Sequence, residues 1–375
     1  MTLISRKIFF DNPDRLAVKL NPKGTVLSFI APVDGVLNIW VSDPNHPENA
    51  KPITFDKHRG IRSYSWTYVD DLLLYVQDTN GDENFHIYAL NSVNGEIKDL
   101  TPFDELHAQI LHSHRDRPSE IMVGLNNRRK DLHDVYRLNL TSGELTLVYE
   151  NDTYAGFVLD DHYTIVFGVR INSDGGASYD RFIDGKPQPF TDVPPDDVLT
   201  TSALGLRDKD NLYWVESRNR NTAALYNWHL PSGDLTLLAE NEKADIEDVL
   251  MHPTTKAFEG AASNYLRKEW TFKNGPVGEL ITHLNEKIPG DLEITSRTAD
   301  DTWWIVAALE DQGPVQYYRI QTQTRKITHL FSGKQSLENL DLRPMEPVII
   351  QSRDGLPMVS YMTRPATSGP VPFVL

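Results

Sequence analysis

The sequence contains no cysteine, which removes disulfides, thiolate zinc sites and cysteine nucleophiles together. A reducing cytoplasm suits such a chain, and that is the location expected. No run of about 18 apolar residues occurs, so no membrane-spanning helix is expected. Met1 to Phe10 carries Arg6 and Lys7 but no apolar stretch of signal-peptide length, so no export signal is expected. Positive charge is also in deficit: 37 Lys and Arg stand against 53 Asp and Glu, a formal charge of −16. That field repels polyanions, which makes nucleic acid and acidic membranes poor partners. Sustained helical periodicity is missing too.

What remains is a succession of short apolar runs punctuated by turn residues. Val26 to Ile30 is followed by Asp34-Gly35 and then Leu37 to Val41; Leu72 to Gln77 precedes Asn80-Gly81 and then Phe85 to Ala89. Aromatic and β-branched strands separated by Asp, Asn and Gly predict antiparallel hairpins. One aromatic anchor recurs, at Trp40, Tyr88, Tyr136, Phe182, Tyr226, Trp270 and Tyr318, at intervals of 44 to 48 residues. That spacing is the period of a propeller blade. A small sheet cannot cover both its faces alone, and radial packing buries both.

The reading is therefore all-β: a seven-bladed β-propeller of four-stranded antiparallel blades, with six or eight blades still compatible with the spacing. The blades are expected near 17–55, 61–101, 106–149, 154–191, 198–239, 245–284 and 292–331. Blade 4 reads as the weakest, because Ser173 to Ala177 looks like a loop and its strands look short. Blade 6 reads as loose, because Gly275-Pro276 and Gly278 interrupt it. An N-terminal extension at 1–16, the propeller at 17–336 and a proline-rich segment at 337–375 complete the domain plan. The last segment holds the turn Asp354-Gly355, the alternating run Met358 to Met362 and an apolar terminal strand, Val371 to Leu375. An uncovered strand of that kind expects a partner.

Catalytic motifs are scarce. Gly176-Ala177-Ser178-Tyr179-Asp180 approaches a nucleophile elbow, but Asp180 replaces the second glycine, so a loop is expected. Asp78-Thr79-Asn80-Gly81-Asp82-Glu83 begins like a calcium loop, yet its glycine comes at the fourth position and Ala89 stands at the twelfth, which favours a hairpin turn. Glu83 could still face an opening and contact a ligand amine. His112-Ser113-His114 puts two imidazoles on one face, with Asp116 as a third ligand, but two histidines do not close a zinc site and a surface strand is preferred. Arg59, Arg62, Arg128, Arg129 and Lys130 read as solvated loops, although Arg59 to Arg62 lies between blades 1 and 2 and could face the channel. Paired carboxylates such as Asp160-Asp161 and Asp300-Asp301 sit in turns. No metal or cofactor is expected.

Several stretches resemble the amino-terminal propeller of the prolyl oligopeptidase family, in particular its acylaminoacyl-peptidase-like and dipeptidyl-aminopeptidase-like members. They are Ala31 to Trp40, His58 to Tyr64, Asp78 to Tyr88, Asp99 to Phe103, and Ser352 to Pro357 with Ser360-Tyr361 and Thr363 to Pro365. The resemblance spans essentially the whole chain. It implies a serine peptidase whose α/β-hydrolase domain would follow the segment 337–375, which then forms a linker and that domain's first strands. It also implies a propeller that gates oligopeptides and excludes folded proteins. No member of the family's catalytic triad maps onto these residues, so the chain alone should be inactive. Glu83 and Arg62, in loops flanking strands, are the expected substrate contacts. The alternatives are a stand-alone propeller serving as a protein- or ligand-binding platform, and an enzyme with a site in its own channel.

Overall fold

Two-residue alternation with both faces apolar is the requirement for a sheet buried between two others. In the strand Leu72–Gln77, Leu73 packs in one inter-sheet core and its neighbour Leu74 in the next. Ile121 and Val123 likewise face one side of their sheet and Met122 the other. In the computed structural model, which describes residues 4–367 and 369–372, this pattern resolves into seven small antiparallel sheets followed by a hairpin.

Each blade is one uninterrupted piece of chain. Blade 1 consists of Leu16–Leu20, Leu27–Val33, Val36–Ser42 and Lys51–Pro52, paired in that order. Blades 2, 3, 4, 5 and 7 repeat the four-stranded meander over 64–99, 108–149, 156–193, 202–239 and 291–332. The seven aromatic anchors all lie on third strands.

Two expectations need correction. Blade 4 is complete, and its fourth strand, Lys186–Val193, has eight residues. Blade 6 has three strands, Ile246–Met251, Phe258–Asn264 and Lys268–Phe272, and then a helix, Pro276–Asn285, where the other blades have a fourth strand. Pro276 occupies the first helical turn, where its missing N–H costs nothing. Leu280, Ile281 and Leu284 then pack against Trp304, Val306 and Ile320 of blade 7.

Buried apolar clusters join blade 1 to 2, 2 to 3, 3 to 4, 4 to 5 and 6 to 7. The ring closes through a further cluster, in which Val18, Leu27 and Phe29 of blade 1 meet Ile305, Tyr317 and Phe331 of blade 7. Among the described residues no strand is exchanged at this closure. Polar bonds reinforce it: Leu20 N donates to Ser296 Oγ at 3.0 Å and Thr295 Oγ1 to Val18 O at 2.9 Å. Among the described residues the seam between blades 5 and 6 has no comparable cluster. It holds a cavity of about 320 Å³ bordered by Leu237, Phe258 and Phe272, and is tied by polar contacts such as Tyr213 Oη to Lys256 O at 2.7 Å.

Residues Arg6–Phe10 form a short helix, and the chain after it is tied to the end of blade 7 by Lys334 Nζ donating to Asp11 O and Gln335 N to Asp14. After blade 7, Met345–Gln351 and Pro357–Thr363 pair as a hairpin about the Asp354-Gly355 turn. Of the expected terminal strand, Val371 and Pro372 are not in a strand and 373–375 lie outside the described residues. No described helix is long and apolar enough to cross a membrane.

Candidate functional site

In a four-stranded meander the first and third turns lie at one end, while the second turn and the link to the next blade lie at the other. The hairpin is fastened to this second end. Arg267, in the second turn of blade 6, donates to Met345 O at 2.6 Å and to Asp311, in the second turn of blade 7, at 3.0 Å. Tyr361 Oη donates to Leu266 O at 3.0 Å. Burial pushes the Asp311 carboxyl up, but the Met345 amide and the Arg267 guanidinium outweigh it and hold it below the ordinary aspartate range. Large apolar side chains of the hairpin stay open to solvent, Leu356 at 63% and Ile350 at 48% exposure.

The same rim carries a repeated device: a buried carboxylate held by an arginine. Asp78 pairs with Arg59, Asp134 with Arg128, Asp180 with Arg170 and Glu216 with Arg218. The Arg128 pair is bidentate, at 2.9 and 2.8 Å, the geometry that fixes a guanidinium in one orientation. Burial raises the Asp134 and Glu216 carboxyls, yet the arginine bonds win and leave both below their ordinary values. In blade 4, burial first and the Asp180 carboxylate second push the Tyr154 hydroxyl up to about 12. The sequence reading missed these pairs. The available signal was an arginine within ten residues of an acid around the second turn, as in Arg128–Asp134, Arg170–Asp180 and Glu216–Arg218. Arg128, read as a solvated loop residue, is thus an ion-pair partner.

Glu83 and Arg62 sit on this rim, both exposed and both in blade 2 loops. Neither has a side-chain ion-pair partner among the described residues. Their loops are tied at the base: Arg59 Nε reaches Asp78 Oδ1 at 3.2 Å, and Gln77 Nε2 donates to Gly60 O at 3.3 Å. Glu83 has φ +60°, a left-handed conformation unusual for glutamate. The structure therefore brings the two loops together and leaves two free charges, of opposite sign, at their ends.

The remaining candidates fall elsewhere. Asp82 accepts from the Thr79 and Asn84 amides and Asp78 serves Arg59, so the calcium-like segment is a turn whose acids are used internally. Ser178 lies near the start of the third strand of blade 4, Ala177–Ile183, buried, donating to Asp192 Oδ1 at 2.6 Å, with none of the exposure an elbow serine has. His112 and His114 face the opposite end of the ring. Both are largely covered rather than on an open surface, and their neighbour is Asp161 of blade 4, at 3.4 and 3.5 Å. The Lys256 ammonium sits on that same carboxylate, supplying the positive charge a metal would bring. His252, Glu259 and Asp301 also converge within 4.8 Å, but Arg297 already bonds Glu259 and Asp301 at 2.6 Å each.

Geometrically this is a ring of contiguous blades, charge-paired at one rim, on which an apolar hairpin rests. No protein-family model matches the chain. Its sequence is 41% identical over 385 aligned positions to dipeptidyl aminopeptidase BIII of Pseudoxanthomonas mexicana, covering all of this chain and 56% of that protein. It is 24% identical to dipeptidyl peptidase family member 6 of Caenorhabditis elegans, over 97% of the chain and 52% of the relative. The chain thus spans about half the length of the curated relatives it matches. Among solved structures, a puromycin-hydrolysing peptidase of Mycobacterium tuberculosis superposes with a TM-score of 0.65 at 14% identity, over the whole chain and 62% of that protein. A prolyl endopeptidase superposes at 0.62 and 11%, over 94% of this chain and 54% of its own. Identities this low speak for the fold alone. Along its whole length the chain is a homologue of part of dipeptidyl aminopeptidase BIII, and its structure neighbours are prolyl oligopeptidase family peptidases, whose propeller portion it matches.

Proposed function

We propose that this chain is the substrate-gating propeller of a serine peptidase that cleaves oligopeptides, inactive by itself. In this reading 337–375 is the linker and first strands of an α/β-hydrolase domain carried by the rest of a longer protein. The observation that carries the proposal is the identity to dipeptidyl aminopeptidase BIII along the whole chain, over little more than half of that protein. The hairpin supports it, because its exposed Ile350, Leu356 and Met358 form an apolar surface of the kind a neighbouring domain covers. We place the protein in the cytoplasm on the strength of its lack of cysteine.

Glu83 and Arg62 are the proposed substrate contacts. Along the charge-paired rim, an exposed glutamate in a tied loop offers its full charge to a peptide's free amine, and Arg62 offers donors to a carbonyl or carboxylate. The 375-residue chain should not be labelled by a fluorophosphonate, whereas a longer protein continuing past Leu375 should be labelled and should release short peptides. Labelling of the chain alone would refute the proposed division of labour. In the longer protein Glu83→Ala should raise KM for short peptides about tenfold with kcat nearly unchanged, the signature of lost ground-state binding. An unchanged KM removes Glu83 from the site.

A further inference from the structure

The end of the ring away from the hairpin is crossed by side chains. Its first turns are unequal in length: six residues in blade 3 (114–119) and in blade 6 (252–257), but only two in blade 5 (209–210). The long turns reach past the short one. Arg115 of blade 3 donates from Nη1 to Thr254 Oγ1 of blade 6 at 2.6 Å, and Thr254 Oγ1 in turn donates to Ala299 O of blade 7 at 2.9 Å. Blades 3 and 6 stand three places apart in a ring of seven, as far apart as the ring allows, so this contact runs across the axis. A second bridge skips blade 5: Lys256 of blade 6 pairs with Asp161 of blade 4, beside His112 and His114 of blade 3.

Immediately inside these bridges lies a cavity of about 340 Å³ walled by first-strand residues of blades 3 to 6, among them Leu111, Phe157, Leu204 and Met251, with His112 and Lys256 at its border. First strands line a propeller's axis, and here those of neighbouring blades contact one another. This cavity is therefore channel space. An extended peptide needs a gap of roughly 5 by 10 Å, the spacing of strands within and between sheets. A guanidinium bonded across the middle obstructs such a gap.

The geometry points to a blind channel: Arg115–Thr254 and Asp161–Lys256 close the far mouth, and peptides gain access only from the hairpin end or its side. Arg115, Asp161 and Lys256 thereby act as size-selecting residues that never touch the reacting bond. The functional half of this inference rests on the peptidase reading; the closure itself does not.

The described chain lacks cysteine, so introduced pairs react without competition from it. Arg115→Cys with Thr254→Cys is placed in the longer protein, with any cysteine of its remainder replaced, and treated with a short bis-maleimide. A disulfide would need Cα atoms within about 7 Å, and an arginine spans more than that. Intramolecular cross-linking should approach completion, read as a linked tryptic peptide; absence of the linked peptide overturns the closure. Asp161→Cys with Lys256→Cys repeats the test should the first pair fail to fold. The cross-linked protein should hydrolyse oligopeptides within twofold of the same variant capped with N-ethylmaleimide. A tenfold loss confined to the cross-linked sample overturns the inference, since the mouth would then be the route in. Inactivity of the capped sample as well refutes the peptidase reading instead, while the cross-linking result still decides the closure.

Discussion

Arg297 offers the sharpest test of how the ring holds its charges. Its side chain is 7% exposed, bonds Glu259 and Asp301 at 2.6 Å each and donates to Met251 O at 3.0 Å. Its guanidinium also lies 4.6 Å from the Trp304 ring centre. Burial alone would lower its pKa, but the two carboxylates outweigh burial and raise it. Arg297→Ala removes the cation and leaves two adjacent, mostly covered carboxylates facing each other. Breaking a buried pair by deleting one partner costs about 3–5 kcal/mol. With an unfolding entropy of about 2.1 cal/mol/K per residue over 375 residues, that loss lowers the melting temperature by about 4–6 °C for cooperative unfolding. Calorimetry at about pH 7.5 and pH 5 should show the deficit shrinking on acidification, because protonation relieves the stranded pair. Zinc should restore part of it at neutral pH, since His252 then completes a three-ligand set within 4.8 Å. A loss under 1 kcal/mol, or one equal at both pH values and untouched by zinc, would show that these carboxylates do not need the arginine.

Two further outcomes follow from single positions. His133 has its pKa lowered from 6.5, by burial first and by neighbouring His107 second. The unfolded chain therefore takes up that proton at higher pH than the fold does, and stability falls as pH drops through about 6.5; His133→Asn should flatten the melting-temperature decline between about pH 7.5 and 6, and an identical slope would clear His133 of responsibility. Gly60 has φ +72°, and an added Cβ would stand 3.1 Å from Leu37 N. Gly60→Ala should cost about 1–2 kcal/mol in denaturant titration, and a neutral result would mean that the link between blades 1 and 2 yields freely.

The ring was legible because its period is carried by large residues under one constraint. Each anchor sits half-buried on a third strand, where an aromatic closes the outer part of a seam, so Trp40 through Tyr318 mark the blades even where strands are short. Blade 4 was underrated because two covered positions of its third strand are polar: Ser178 and Asp180 are buried through Asp192, Tyr154 and Arg170, and Pro187 and Pro189 sit in the outermost strand, where one edge needs no partner. Blade 6 was read correctly as interrupted but not as helical, because ten residues are too few for periodicity to stand out against a strand pattern. The site was harder. Arg59, in the link before blade 2, and Asp78 are 19 residues apart, and Asp161 and Lys256 are 95 residues apart, so only the folded chain makes them neighbours.

These differences between the two ends bear on how such a ring can serve a peptidase. At the far end, blades 3, 4, 6 and 7 are bridged by side chains across the axis, which resists any widening there. At the hairpin end the ion pairs lie within a blade or between neighbours, and none of the named pairs spans the opening. Among the described residues, the one seam without a buried apolar cluster, between blades 5 and 6, adjoins the blade whose second turn holds Met345 and Tyr361. Apolar burial supplies most of the cohesion between sheets, at roughly 25 cal/mol per Å², so this seam is where the ring gives way at least cost. Motion there would tilt blade 6 and the hairpin together and leave the far mouth pinned. Under the proposed gating role, the opening would lie beside the hairpin rather than along the axis, the direction left by the bridges of Arg115 and Lys256.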